Sequence, residues 1–288
     1  MASTREIRRR IRSVSNMSQI TRAMEMVSAA KMRKAQQRVL ASRPYAERLR
    51  GVIADLASVP QDPEQLAKYP LLAPRSEVKA VGVILITPDR GLTGALNTNI
   101  LRRASRYITT DAGVPVEIVA AGKKGRDFMI RTGQDVVAEF TGLGDDLKLD
   151  DMRGIAEVAI EDFLSGKIDA VYIVYAEYVN TITQRPVVKQ LLPIELPEEV
   201  GRYTDYIFEP NGDEVLEQLL PRYAEVQLYQ AFLESVASEH SARMVAMKNA
   251  TDNAKELVGE LRLTYNKARQ AAITQEVAEI AAGANAQR

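Results

Sequence analysis

The C-terminal end of this 288-residue chain carries a spacing pattern that few folds satisfy. From His240, a 4-3 alternation selects Met244, Met247, Thr251, Ala254, Val258, Leu261, Tyr265, Ala268, Ala272 and Gln275. Such a repeat holds one stripe of a helix against a partner helix along its length. Ala, Thr, His and Gln sit where a zipper would carry Leu. Small side chains let two helices approach closely while burying little area. The chain therefore needs a second long helix.

Residues 1–58 supply it. Ser3 followed by Glu6 reads as a capping box, and Ile7, Ile11, Val14, Met17, Ile20, Met24 and Val27 recur at helical spacing. Pro44 predicts a kink near residues 40–43, after which the stripe resumes as Ala46, Leu49, Ile53 and Leu56. Pro221 predicts that a short segment at 213–220 bends into the long C-terminal helix.

Proline clusters separate the parts. Pro60, Pro63, Pro70 and Pro74 form one linker, and Pro193, Pro197 and Pro210 another. They leave an N-terminal helical arm (1–58), a middle block (78–192) and a C-terminal arm (212–288). In the middle block the period changes. Strands are expected at 80–87, 116–121, 136–140, 170–178 and 185–192, and helices at 98–112, 123–132 and 151–165, with Gly113, Gly133 and Gly166 as stops. Alternating strands and helices imply an α/β layer domain with a largely parallel, Rossmann-like sheet. The arms flank this block, so the economical fold is an antiparallel two-helix coiled coil with the α/β domain inserted, an elongated rod with a side domain. Setting Ile7, Ile11 and Val14 against Leu261, Val258 and Ala254 puts Met24 level with Met244. Residues from about Lys267 onward then run past the N-terminus as a single helix.

Composition excludes much chemistry. There is no Cys, so disulfides, thiolate metal sites and thiol switches are absent, and His240 is the sole histidine. The longest stretch free of Asp, Glu, Lys and Arg is 11 residues, against about 20 apolar residues for a membrane span. No signal-peptide core precedes the first arm. The chain reads as soluble and intracellular, or peripheral to a membrane. Residues 1–50 hold 13 Lys/Arg against 3 Asp/Glu while the whole chain is neutral, so the basic arm is expected to meet an acidic partner.

Several motifs admit a functional and a plainer reading. Asp89, Arg90, Gly91, Leu92, Thr93, Gly94, Ala95, Leu96 and Asn97 lie between a strand and a helix, where doubly wound folds bind phosphate. The loop lacks the Lys of a P-loop and the third Gly of a dinucleotide fingerprint, which favours a structural turn. The run from Gly122 through Lys123, Lys124 and Gly125 to Arg126 reads as a surface turn or an anion site. Arg8, Arg9, Arg10 and Arg12 suggest a DNA-binding helix, but no Leu-rich zipper follows; Arg10 and Lys31 read as charged-face residues. His240 reads as a register-fixing seam residue, and Asp145, Asp146, Asp150 and Asp151 as helix caps. A nucleotide-binding enzyme predicts saturable ATP or NAD binding, and a nucleic-acid binder predicts salt-sensitive DNA retention.

The two ends are more specific. Residues 20–34 read ITRAMEMVSAAKMRK and 42–47 read SRPYAE; residues 238–253 read SEHSARMVAMKNATDN and 265–276 read YNKARQAAITQE, continuing to Glu279, Gly283 and Ala284. Over essentially its whole length the chain resembles the γ subunit of F-type ATP synthase. Residues 91–97 are similar to the family's GLCGGLN-type loop, with Thr93 in place of the common Cys, and the cysteine-bearing regulatory insertion of chloroplast forms is absent. The resemblance implies a non-catalytic central-stalk rotor without cofactor. Its expected partners are the α and β subunits, the ε subunit and the c-subunit ring, with no nucleic acid, on the cytoplasmic face of a bacterial cell membrane. Proton flow would turn the ring and the shaft, driving the β catalytic sites through different conformations. By resemblance, Met24 lies level with the β levers. Arg243, Gln270, Thr274 and Glu276 match positions that bond β loops near the shaft top, and Tyr206 and Glu209 match the foot that meets the c ring and ε.

Overall fold

A computed structural model describes residues 4–57, 68–195, 209 and 211–286. Ser3, and so the expected capping box, lies outside them, as does Tyr206. The chain divides into two compact units, Met1–Ser28 with Arg243–Arg288, and Ala29–Ala242. Two long helices contribute to both: α1 (Thr4–Ala57) and, as the last element, α5 (Gly212–Ala286). Neither is broken at its proline. Pro44 sits on an exposed face of α1, and Leu40, whose carbonyl loses its helical donor, is 60% exposed. Water can satisfy that oxygen, which removes part of the cost of an interior proline.

The larger unit is built on a sheet of β1 (Val81–Ile86), β2 (Val116–Ala121), β3 (Val136–Phe140), β4 (Ala170–Tyr178) and β5 (Gln184–Leu192). The order is β3-β2-β1-β4-β5, with β5 antiparallel to β4 and the other pairs parallel. β1 is central and buried on both faces, which is why its sequence is one apolar run rather than an alternation. Three helices complete the alternation: α2 (Leu96–Arg106), α3 (Lys123–Arg131) and α4 (Arg153–Leu164).

The two sheet faces have separate cores. On one, Val83, Leu85, Ile118 and Val174 pack with Ile100 and Ala104 of α2 and Met129 of α3. On the other, Ile84, Ile86, Val119 and Ile173 pack with Ile155 and Phe163 of α4, with Leu49 and Ile53 of α1, and with Leu228 and Phe232 of α5. The residues with which the N-terminal stripe resumes after Pro44 are thus core residues of the sheet layer.

Two details differ from the expected elements. The helix expected at 98–112 closes at Arg106 and continues as a π turn, Tyr107–Asp111, which ends before Gly113 at φ +67°. The wider turn sets the Tyr107 ring 5.2 Å from that of Tyr172, beneath the sheet. A 3-10 turn, Leu149–Met152, precedes α4, and Asp151 caps it by accepting from the Lys148 backbone N–H at 2.7 Å.

In the smaller unit, the Thr21 and Thr251 hydroxyls hydrogen-bond at 2.7 Å, and Arg8 donates to the Tyr265 hydroxyl while its guanidinium stacks on that ring. One helix therefore ascends as the other descends. On α5 the 4-3 stripe read from the sequence, Met244, Met247, Thr251, Ala254, Val258, Leu261, Tyr265 and Ala268, is protected, and between Thr251 and Ala282 it alone is. On α1 the protected positions are Thr4, Ile7, Ile11, Val14, Ser15, Ser18, Thr21, Met24, Glu25 and Ser28. After Val14 the expected stripe holds at Met24 but fails at Met17, Ile20 and Val27, each more than half exposed. The helix keeps a 3.5-residue seam, and that period selects the small polar residues. The register also moves. The threonine pair sets Met24 level with Lys248 rather than Met244, one helical turn away.

Candidate functional site

The carboxyl end of the sheet beside β1 and β2 is closed by the chain's own groups. Asp89 follows β1, and its carboxylate accepts from the backbone N–H of Lys123 at 2.8 Å and of Gly142 at 2.9 Å. The Lys123 N–H opens α3 and is the donor a phosphate would need. The Thr87 hydroxyl accepts from the Gly125 N–H at 2.8 Å. Gly122, at φ +112°, runs so close to the Thr87 carbonyl that any Cβ there would collide with it. Beside this knot lies a cavity of about 50 Å³ lined by Asp89, Gly122, Gly142, Ser235 and Glu239. Two carboxylates and a volume suited to a water or two do not accommodate a nucleotide. Residues 91–97 are a strained turn, with Leu92 at φ +64° and Gly94 at φ +57°. Thr93 is buried, and its hydroxyl has no hydrogen-bond partner among the described residues.

A cluster of charges joins three elements of the larger unit. Asp145, in the loop between β3 and the 3-10 turn, is bonded to Lys31 of α1 at 2.5 Å and to His240 of α5 at 2.9 Å. Arg38 donates to the Asp145 carbonyl at 2.7 Å, and Asp146 pairs with Arg38 and, at 2.8 Å, with Lys34. Burial works to raise the Asp145 pKa, but the Lys31 hydrogen bond and His240 outweigh it and hold the carboxyl below its usual range. Asp146 is held low by its hydrogen bonds from Lys34 and Arg38. Of the four acidic residues expected as caps, Asp151 is one, whereas Asp145 and Asp146 reach across to the helices. The charge asymmetry carried the missed signal, since part of the N-terminal arm's positive charge is met within the chain itself. His240 is 2% exposed, and Asp145 is its partner.

The residues expected from the family resemblance do not form one pocket. Met24 is half-buried on α1, Arg243 is 9% exposed on α5, and Gln270, Thr274 and Glu276 are exposed on α5. At 1.5 Å per residue, Arg243 and Gln270 are about 40 Å apart along the helix. Glu209 is exposed. From 269 to 282 every residue of α5 is exposed, including Ile273, Val277 and Ile280 at 50%, 59% and 72%. Among the described residues, no group of His, Asp and Glu suits a metal ion, and no helix is long and apolar enough to cross a membrane.

A helix pair in small-residue register, a sheet end closed at Asp89 and a bare helix tip describe a part that is held by others. A family model described as ATP synthase matches residues 3–287. The chain is 59% identical to an ATP synthase gamma chain of Roseiflexus castenholzii, over 99% of both chains. It belongs to the ATP synthase gamma family. A gamma chain of Chloroflexus aurantiacus is 56% identical over 99% of each chain. In fold the chain is similar to a chain of the Euglena gracilis mitochondrial ATP synthase in a structure of OSCP, F1 and c-ring, with a TM-score of 0.70 at 22% identity, covering 99% of this chain and 94% of that one. A rotor structure from the same source gives a TM-score of 0.66, covering 94% and 98%. As a gamma chain the protein is a non-catalytic subunit of F-type ATP synthase, a complex associated with the membrane. The family signatures at 20–34 and 265–276 fall on α1 and α5.

Proposed function

We propose that this chain is the shaft of a rotary motor, turned by a ring of c subunits and read by the catalytic sites of a surrounding head of α and β subunits. In this reading residues 1–58 and 212–288 form an antiparallel coiled coil and 78–192 an inserted domain. The complex sits on the cytoplasmic face of a bacterial cell membrane, with proton flow driving ATP synthesis or hydrolysis driving pumping. Met24, Arg243, Gln270, Thr274 and Glu276 serve β contacts, and Tyr206 and Glu209 serve the c ring and ε.

The observation that carries this reading is the bare end of α5. Helices in proteins draw most of their stability from tertiary packing, and residues 269–282 have none among the described residues: all are exposed, with apolar side chains among them. A sleeve of other subunits accounts for both. Coupling then follows from differential contact, because a shaft that fits the β states unequally shifts their populations as it turns. The net positive face of α1 suits acidic segments of β, and the closed sheet end at Asp89 leaves nucleotide chemistry to the head.

The test is assembly. Purified α and β subunits mixed with this chain are expected to form one complex with ATPase activity. Failure of the three to associate, or saturable binding of ATP by the chain alone, would contradict the reading.

A further inference from the structure

The charge cluster around Asp145 has no part in the contacts invoked so far. The chain leaves α1 at Ala57 and enters α5 at Gly212. Lys34 lies about 35 Å back along α1 from the first of these points, and His240 about 42 Å along α5 from the second. Between them the helices meet the sheet layer through apolar side chains such as Leu49, Ile53, Leu228 and Phe232. Apolar burial resists separation but is non-directional. Charge-assisted hydrogen bonds are directional and fix one angle.

The loop that supplies them is itself anchored. Its Gly142 N–H donates to Asp89 at 2.9 Å, the Leu147 carbonyl accepts from the Tyr229 hydroxyl at 3.3 Å, and the Lys148 N–H donates to Asp151. Gly142 and Gly144 hold φ of +74° and +73°, which shape the turn between these anchors. A short, braced loop thus presents two adjacent carboxylates to Lys31, Lys34, Arg38 and His240. The neighbouring hairpin adds two more polar ties, Gln36 to the Tyr178 hydroxyl at 2.5 Å and the Ser241 hydroxyl to the Thr181 carbonyl at 2.7 Å.

We infer that Asp145 and Asp146 are positioning residues that lock the rotational angle of the α1–α5 pair against the sheet, so that torque applied to one is delivered to the other without slip. The inference rests on the rotor reading and adds the place where torque crosses within the chain. With the lock weakened, the motor still hydrolyses ATP, but each turn of the helices is passed on incompletely.

The experiment uses the assembled complex in sealed vesicles, with ATP hydrolysis and proton uptake measured together at pH 8. Asp145→Lys and Lys31→Asp, each alone, are expected to lower protons moved per ATP by about two-fold or more, the scale on which one exposed ion pair biases a two-state equilibrium. Hydrolysis stays within about two-fold of the unsubstituted complex. The pair Lys31→Asp with Asp145→Lys restores the charge contact and is expected to restore pumping per ATP. Where reversal prevents assembly, Asp145→Asn with Asp146→Asn gives the same expected drop. A merely structural role lowers hydrolysis and pumping in parallel. Unchanged pumping per ATP in the single variants, or no recovery in the pair, overturns the lock and leaves the rotor standing. An unsubstituted complex that hydrolyses ATP without pumping removes both.

Discussion

Thr251 shows how much depends on size at single positions. It is 2% exposed, bonds Thr21 across the seam and the Met247 carbonyl on its own helix, and sits where a zipper would place Leu. Thr251→Leu is therefore expected to destabilise the chain, by about 1–3 kcal/mol, because a larger side chain forces apart helices set close together. Thermal unfolding of the isolated chain measures it, and a more stable variant would mean that the seam has room. Gly122→Ala is expected to cost about 3 kcal/mol or more, since it combines a left-handed backbone with a collision against the Thr87 carbonyl. A soluble, normally melting variant would contradict that geometry. Acid sensitivity follows from the aspartates. Asp145 and Asp146 are held low as described, and Asp169 is held low chiefly by the backbone N–H of Lys79, joined by that of Ala80, against a burial penalty. Such groups bind fewer protons folded than unfolded, so their stabilisation is full above the unfolded pKa of about 3.9 and is lost as pH falls below it. The melting temperature is expected to fall as pH drops from about 5 to 3. It should fall less steeply in the Asp145→Asn, Asp146→Asn, Asp169→Asn variant.

At the scale of elements, much was legible because period and burial coincide. β1 reads as one apolar run because it is covered on both faces, and the α5 stripe reads as heptads because one face alone is protected. After Val14 the apolar stripe of α1 meets the seam only at Met24, because hydrophobicity and seam part company there. Met17 and Ile20 are apolar yet exposed, while Ser18 and Thr21 are small and inside. The register differs from the expected one by one turn for the same reason, since the threonine pair rather than the apolar residues sets it. The Asp145 cluster was illegible because no local pattern tells a capping aspartate from one that pairs with a lysine more than a hundred residues away. The single-helix tip was legible because any antiparallel pairing near that alignment leaves the longer C-terminal arm, 212–288, running past the shorter one, 1–58. In the isolated chain, backbone amides beyond Arg269 are expected to exchange within the dead time, and in the assembled complex to be strongly protected. Strong protection in the isolated chain would mean that the tip packs on its own chain.

For the whole molecule, the residues that identify the family lie on α1 and α5, and those that hold the sheet layer to them lie between. The sheet end closed at Asp89, the small-residue seam and the bare tip each suit a part that moves inside other subunits without doing chemistry. That account makes one direct demand. With the head of α and β subunits fixed to a surface and a bead attached to an exposed position of the sheet layer of this chain, added ATP is expected to drive continuous rotation in a single direction. A complex that assembles and hydrolyses ATP while the bead only fluctuates would contradict it.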